Sequence, residues 1–244
     1  MQEVVPIDPT HTTPHTARLS AALGADDPSV RLKAALAAGS SADPGLLDAL
    51  VERCAVEPDF FVRDMLSWAL TRLPSGPTLA RVRRELDADR AQARAQALHT
   101  LSKIGDRTAW TWIPRALLHD RDDEVARTAW RVTVALAPDD EETRVDLAGE
   151  LVRQLGRGDR AVRLSLSRAL IDLGEVTRPA LERAAAGPDP AVATHAAATE
   201  LLRERPETGF DAAVDEAKRI VALGPERAAR PAPDPTAVQG TAPC

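Results

Sequence analysis

A short phrase returns six times along this chain: an acidic turn followed by V-R-x-x-A-x-x-A-L. It opens at Asp27-Pro28-Ser29-Val30-Arg31 and comes back at Glu57-Pro58-Asp59-Phe60-Phe61-Val62-Arg63. Further copies begin at Asp89, Asp122 and Gly158-Asp159, and a degenerate one at Pro188-Asp189-Pro190-Ala191-Val192. Taking Val30, Val62, Ala93, Val125, Val162 and Val192 as position 1, the spacings are 32, 31, 32, 37 and 30. Self-similarity at such a period means stacked supersecondary units that share one core. Within each copy, Asp27, Asp189 and their counterparts can accept hydrogen bonds from the first free amides of a helix. Pro28 and Pro190 suit its first position, where a missing N–H costs little. Positions 1, 5, 8 and 9 then share one face, so Val62, Leu66, Ala69 and Leu70 are predicted to be buried. A second amphipathic segment precedes each phrase, as at 46–51 and 79–86, so one unit reads as helix A, turn, helix B, loop.

Composition agrees with helices and closes other routes. The 244 residues include 45 Ala and 28 Leu, with aromatics at 3% and no Tyr, a bias away from the β-branched and aromatic residues that strands favour. No apolar run approaches the roughly 18 residues of a membrane span. The start, Met1 to Pro6, lacks the basic and apolar regions of a signal peptide. Two cysteines, Cys54 and Cys244, cannot build a disulfide framework, so the expected compartment is the reducing cytoplasm. A net charge of −6 weighs against a surface built throughout for nucleic acid, although Arg outnumbers Lys by 28 to 3.

The six copies resemble the HEAT repeat family, in particular the short HEAT-like repeats of the phycobilisome-lyase type, over about residues 17–205. The resemblance implies an all-α, right-handed α-solenoid of about six helix pairs, with a C-terminal capping helix near Asp211–Leu223. Composition sets the ends: Pro6, Pro9 and Pro14 in a Thr/His mixture read as a flexible arm at 1–15, and the Pro/Ala-rich stretch at 225–244 reads as a disordered tail, leaving the solenoid at 16–224. The sixth copy has Ala193 where the others carry Arg and reads as a worn repeat. The widest spacing falls across Pro138–Arg144, either an extended acidic loop or an early helix start.

Motifs for chemistry are missing: G-x-x-x-x-G-K-[ST], H-E-x-x-H, G-x-S-x-G and C-x-x-C do not occur. Cys54 lies in a first helix and is expected to be packed. His11 and His15 are four apart, but Pro14 between them breaks a helical metal pair. No catalytic residue, cofactor or metal is therefore expected.

In HEAT-type stacks the second helices line the concave side, which here would display positions 3 and 7. That row runs Trp68–His99–Arg131–Arg168, edged by Asp64, Arg127 and Trp130, on helices about 10 Å apart. Trp and Arg together favour binding hot spots. The expected function is a non-enzymatic scaffold or adaptor holding a protein or peptide, an acidic one with an apolar anchor. The alternative is a resemblance to HEAT-like alkylpurine DNA glycosylases or DNA-binding proteins. Asp64 and Trp68 one turn apart would then sit near phosphate-contacting Arg127, Arg131 and Arg168; the acidic total charge disfavours it. The position-2 residues Arg31, Arg63, Arg94 and Arg163 are expected to bond between repeats to capping carboxylates. Trp110 and Trp112 fall at the junction before the fourth helix A, one expected under the loop and the other partly exposed.

Overall fold

Aspartate side chains start most of the second helices. Asp27, Asp59, Asp122, Asp159 and Asp189 each accept hydrogen bonds from amides two or three residues on, at 2.8–3.3 Å. They open helices α2 (Pro28–Ser41), α4 (Phe60–Arg72), α7 (Asp123–Leu136), α9 (Arg160–Leu173) and α11 (Pro190–Glu204). The third repeat departs from expectation: α6 (Ala91–Ile104) is preceded by Arg90, which makes no side-chain cap, so Asp89 does not serve. The computed structural model describes residues 14–223, and all regular structure among them is helical. Most of the N-terminal arm, the tail at 225–244, His11 and Cys244 lie outside the described residues. No helix among the described residues is long and apolar enough to cross a membrane.

The chain divides into two units, Met1–Thr143 and Arg144–Cys244. In the first, α2, α4, α6 and α7 pack one against the next. The first helices α1 (Pro14–Leu23), α3 (Leu47–Cys54) and α5 (Ser75–Arg84) pair with α2, α4 and α6 and also touch one another in order. Two layers result, and the core between them is the face the repeat specifies: Val62, Leu66, Ala69 and Leu70 are all buried. Val30 departs from this rule at 40% exposed, and α2 buries Arg31, Ala34, Ala35, Ala38 and Gly39 instead. The fourth first helix is replaced by 3-10 turns at Arg107–Trp112 and Arg115–His119. Pro114 between them has no N–H to continue a helix and restricts the residue before it. Cys54 is buried, and burial pushes its thiol up to about 12.

The position-2 arginines make a recurrent clamp. Arg31, Arg63 and Arg94 each donate from Nη1 to the carbonyls six and five residues earlier, at 2.6–3.0 Å. Arg31 also forks onto Glu57 at 2.7 and 2.8 Å, and Arg94 onto Asp120 at 2.9 and 3.1 Å. These acids belong to the following repeat, as expected, but lie two residues ahead of the caps Asp59 and Asp122, whose oxygens serve helix amides. Each also accepts the amide of its cap residue at 2.9 Å. Burial alone pushes the Glu57 carboxyl up, but hydrogen bonds from Arg31, Arg53 and the Asp59 amide outweigh it and hold the group down at about 2.

In the second unit α11 packs on α9, on α10 (Arg178–Ala185) and on α12 (Phe210–Leu223), the closing helix. The segment 138–144 settles as a helix start: Asp140 accepts the Thr143 amide at 2.8 Å ahead of α8 (Glu141–Val152). The worn sixth repeat leaves Val192 half-buried and buries Ala193, His195 and Ala196. His195 Nδ1 accepts the Gly156 amide at 3.0 Å, so its proton sits on Nε2, 3.0 Å from the Arg163 carbonyl and 3.1 Å from Ser167 Oγ. Burial pushes this imidazole down to about 4.

Two predictions follow from this packing. A Cβ on Gly39 would meet the Trp68 ring at 2.3 Å, whereas one on Gly149 meets nothing within 4 Å. Gly39→Ala is expected to lower stability by about 1–3 kcal/mol and Gly149→Ala to raise it by about 0.5–1 kcal/mol, by thermal or urea denaturation. His195 is held below its unfolded value of 6.5, so its contribution is complete above that pH and is lost as pH falls from 6.5 toward 4. That loss is about 3 kcal/mol, read as a shallower acid loss in His195→Gln than in the unsubstituted chain.

Candidate functional site

The succession α4, α6, α7 lines a groove of about 670 Å³ to which α1, α3 and α5 contribute no residue. Helix α4 supplies Phe60, Arg63 and Asp64; α6 supplies Ala91, Gln92, Ala95, Gln96, His99 and Ser102. Glu124, Arg127, Thr128 and Arg131 come from α7, with its cap Asp122. Small residues on α6, Ala91 and Ala95, keep the middle open, while Gln92 is tied to the Cys54 and Glu57 carbonyls at 2.9 and 2.7 Å.

Four of the seven expected site residues meet in this groove. Asp64 Oδ1 lies 3.6 Å from Lys103 Nζ and 3.8 Å from His99 Nε2. His99 is held below its ordinary value, first by burial and then by the charges of Lys103 and Arg131, with Asp64 opposing them. Arg127 sits 3.4 Å from Glu124, and its buried Nε has no hydrogen-bond partner among the described residues. Arg131, one turn further along α7, is exposed; its side chain forms no ion pair or hydrogen bond with the described residues. Lys103, Arg127 and Arg131 gather positive charge at this end, around a His99 that burial and the charges of Lys103 and Arg131 keep neutral.

The other three go elsewhere. Trp130 is 0% exposed, its indole donating to the Leu118 carbonyl at 2.8 Å. The 3-10 turn that replaces the fourth first helix packs on α7, and the indole is sealed beneath it, so Trp130 is core and not a contact surface. Trp68 is half-buried, its ring laid on Gly39 of α2 rather than in the groove. Arg168 belongs to the second unit, where it is exposed on α9. Trp110 and Trp112 are both half-buried, and the Arg83 guanidinium lies 5.3 Å over the Trp112 ring.

The sequence reading missed the aromatic edge of the groove. Phe60 and Phe61 are 66% and 70% exposed, edge-to-face at 5.7 Å, with the Arg63 guanidinium 5.9 Å from the Phe60 ring. The signal was available: Phe60 stands one helical turn before Asp64, on the displayed face. Arg63, read as purely structural, also lines the groove. Among the described residues no three of His, Cys, Asp and Glu come together to hold a metal ion.

The charge environment of His99 is testable. Lys103→Gln is expected to raise its titration midpoint and Asp64→Asn to lower it, followed by imidazole resonances against pH; no movement in either variant contradicts the placement. Trp130→Ala is expected to cost about 3–5 kcal/mol in denaturation, as a core truncation does. No protein-family model matches the chain, and no curated protein matches it in sequence.

Proposed function

We propose that the chain is a right-handed HEAT-like solenoid acting as a non-enzymatic scaffold, and that the α4–α6–α7 groove holds an acidic peptide segment with an apolar anchor. The ordered contacts α2–α4–α6–α7 and α1–α3–α5 support the solenoid reading. One observation carries the binding reading: the unpaired Arg131 shares a groove with the exposed Phe60. Exposed aromatic area beside an Arg without an internal partner is the pairing that hot spots use. A carboxylate reaching Arg131 gains a charge-assisted bond without breaking one inside the protein. Asp64, Asp122 and Glu124 interrupt the groove, which disfavours the uniformly basic track that a nucleic-acid backbone needs. The proposed setting is the cytoplasm, in keeping with Cys54 as a buried free thiol.

The test uses fluorescent dodecapeptides rich in Asp and Glu, each with one central Leu or Phe, titrated at low salt. Arg131→Gln, and separately Phe60→Ser with Phe61→Ser, are expected to weaken binding about tenfold while melting is unchanged. Absence of binding to every peptide, or equal affinity in both variants, contradicts the reading. Retention of duplex DNA in place of the peptides favours the nucleic-acid alternative.

A further inference from the structure

The position-2 arginines fall into two kinds. They differ in the residue two places ahead of the next repeat's cap position. For Arg31 and Arg94 that residue is an acid, Glu57 or Asp120, and the guanidinium is forked onto it. For Arg63 and Arg163 it is Ala88 or Gly187, and no carboxylate is supplied. Both of these arginines line cavities. Arg63 is still occupied by two carbonyls and by the Phe60 ring. The Arg163 guanidinium has no hydrogen bond or ion pair among the described residues, and its Nε is fully buried.

The cavity beside it, wholly within the second unit, measures about 140 Å³. Arg163 enters from α9, Thr194 and His195 from α11, and Val214 and Lys218 from α12. The volume leaves room for several waters, or for an anion of four or five heavy atoms. His195 contributes no charge: its Nδ1 accepts from Gly156 and its burial keeps it neutral. The Lys218 ammonium is held 3.1 Å from Asp215 on the exposed side of α12, where it can swing toward an anion. A guanidinium with no internal carboxylate can bond an anion without breaking a bond inside the protein.

We propose that this cavity is a binding site for a small oxyanion, a carboxylate or a phosphate, gripped by Arg163 with help from Thr194 Oγ1 and Lys218. The anion takes the role that Glu57 and Asp120 play toward Arg31 and Arg94. This site is independent of the peptide groove in the first unit.

The experiment measures thermal stability of the full chain against millimolar inorganic phosphate and, separately, acetate, with ionic strength held constant by sodium chloride. Saturable stabilisation by either probe is expected, and comparing the two distinguishes phosphate from carboxylate. Arg163→Gln is expected to weaken the apparent affinity about tenfold or more, and Lys218→Gln by a smaller factor, because Lys218 keeps an internal partner. Arg168→Gln, exposed on the same helix but outside the cavity, is expected to leave it unchanged. Calorimetric titration of the folded variants gives the same comparison should Arg163→Gln alter melting by itself. No saturable effect beyond chloride in the unsubstituted chain overturns the proposal. So does an effect that survives both Arg163→Gln and Lys218→Gln.

Discussion

Close approach of neighbouring second helices governs the rest of the first unit. Ala34, Ala35, Ala38 and Gly39 of α2 are buried with almost no side chain, α2 packs on α4, and the Trp68 ring of α4 occupies the space that any Cβ at Gly39 would need. Ala69 of α4, Ala93 and Ala97 of α6, and Ala126 and Ala129 of α7 continue the same economy of volume. Interiors are close-packed, so small residues at the contact set how near the backbones come. That distance then fixes which side chains stand opposite one another across the groove. Asp64 reaches His99 and Lys103, and Arg131 acts on His99, because α4, α6 and α7 are held in this order.

A second constraint is superimposed on the packing. The Arg–acid forks at Arg31–Glu57 and Arg94–Asp120 join one repeat to the start of the next, and the acid also receives the amide of the following cap. The buried fork is costly to break from one side, since the remaining charge stays desolvated. Where the acid is replaced by Ala88 or Gly187, the same arginine faces a cavity instead. One position of the repeat therefore holds a joint between repeats at Arg31 and Arg94 and lines a cavity at Arg63 and Arg163.

The sequence was most informative about faces and least about neighbours. The period located α2, α4, α6, α7, α9 and α11, an aspartate cap marking each start except that of α6, and the burial of Val62, Leu66, Ala69 and Leu70 follows from helical angle alone. Helical angle does not say what covers a residue. Trp130 and Trp68 sit at adjacent positions of the phrase near the displayed face. One is sealed by a 3-10 turn that exists because of Pro114, and the other is received by a glycine on the previous helix. Val30 fails as a core position because Arg31 takes the buried place beside it, held by Glu57 26 residues away. Asp64, His99, Arg127 and Arg131 fall in one groove because positions 3 and 7 of successive second helices stand side by side. Phe60 was legible by the same rule, one turn before Asp64, although the row was started too late to include it.

The central claim is that α4, α6 and α7 together present the partner-binding surface. Hydrogen–deuterium exchange of the full chain, with and without an acidic peptide carrying a Leu or Phe anchor, tests it most directly. The account predicts slowed exchange at the start of α4 around Phe60 and along α6 and α7 near His99 and Arg131, with residues 144–223 unchanged. Slowing confined to α3 and α5, or to the second unit, would contradict it.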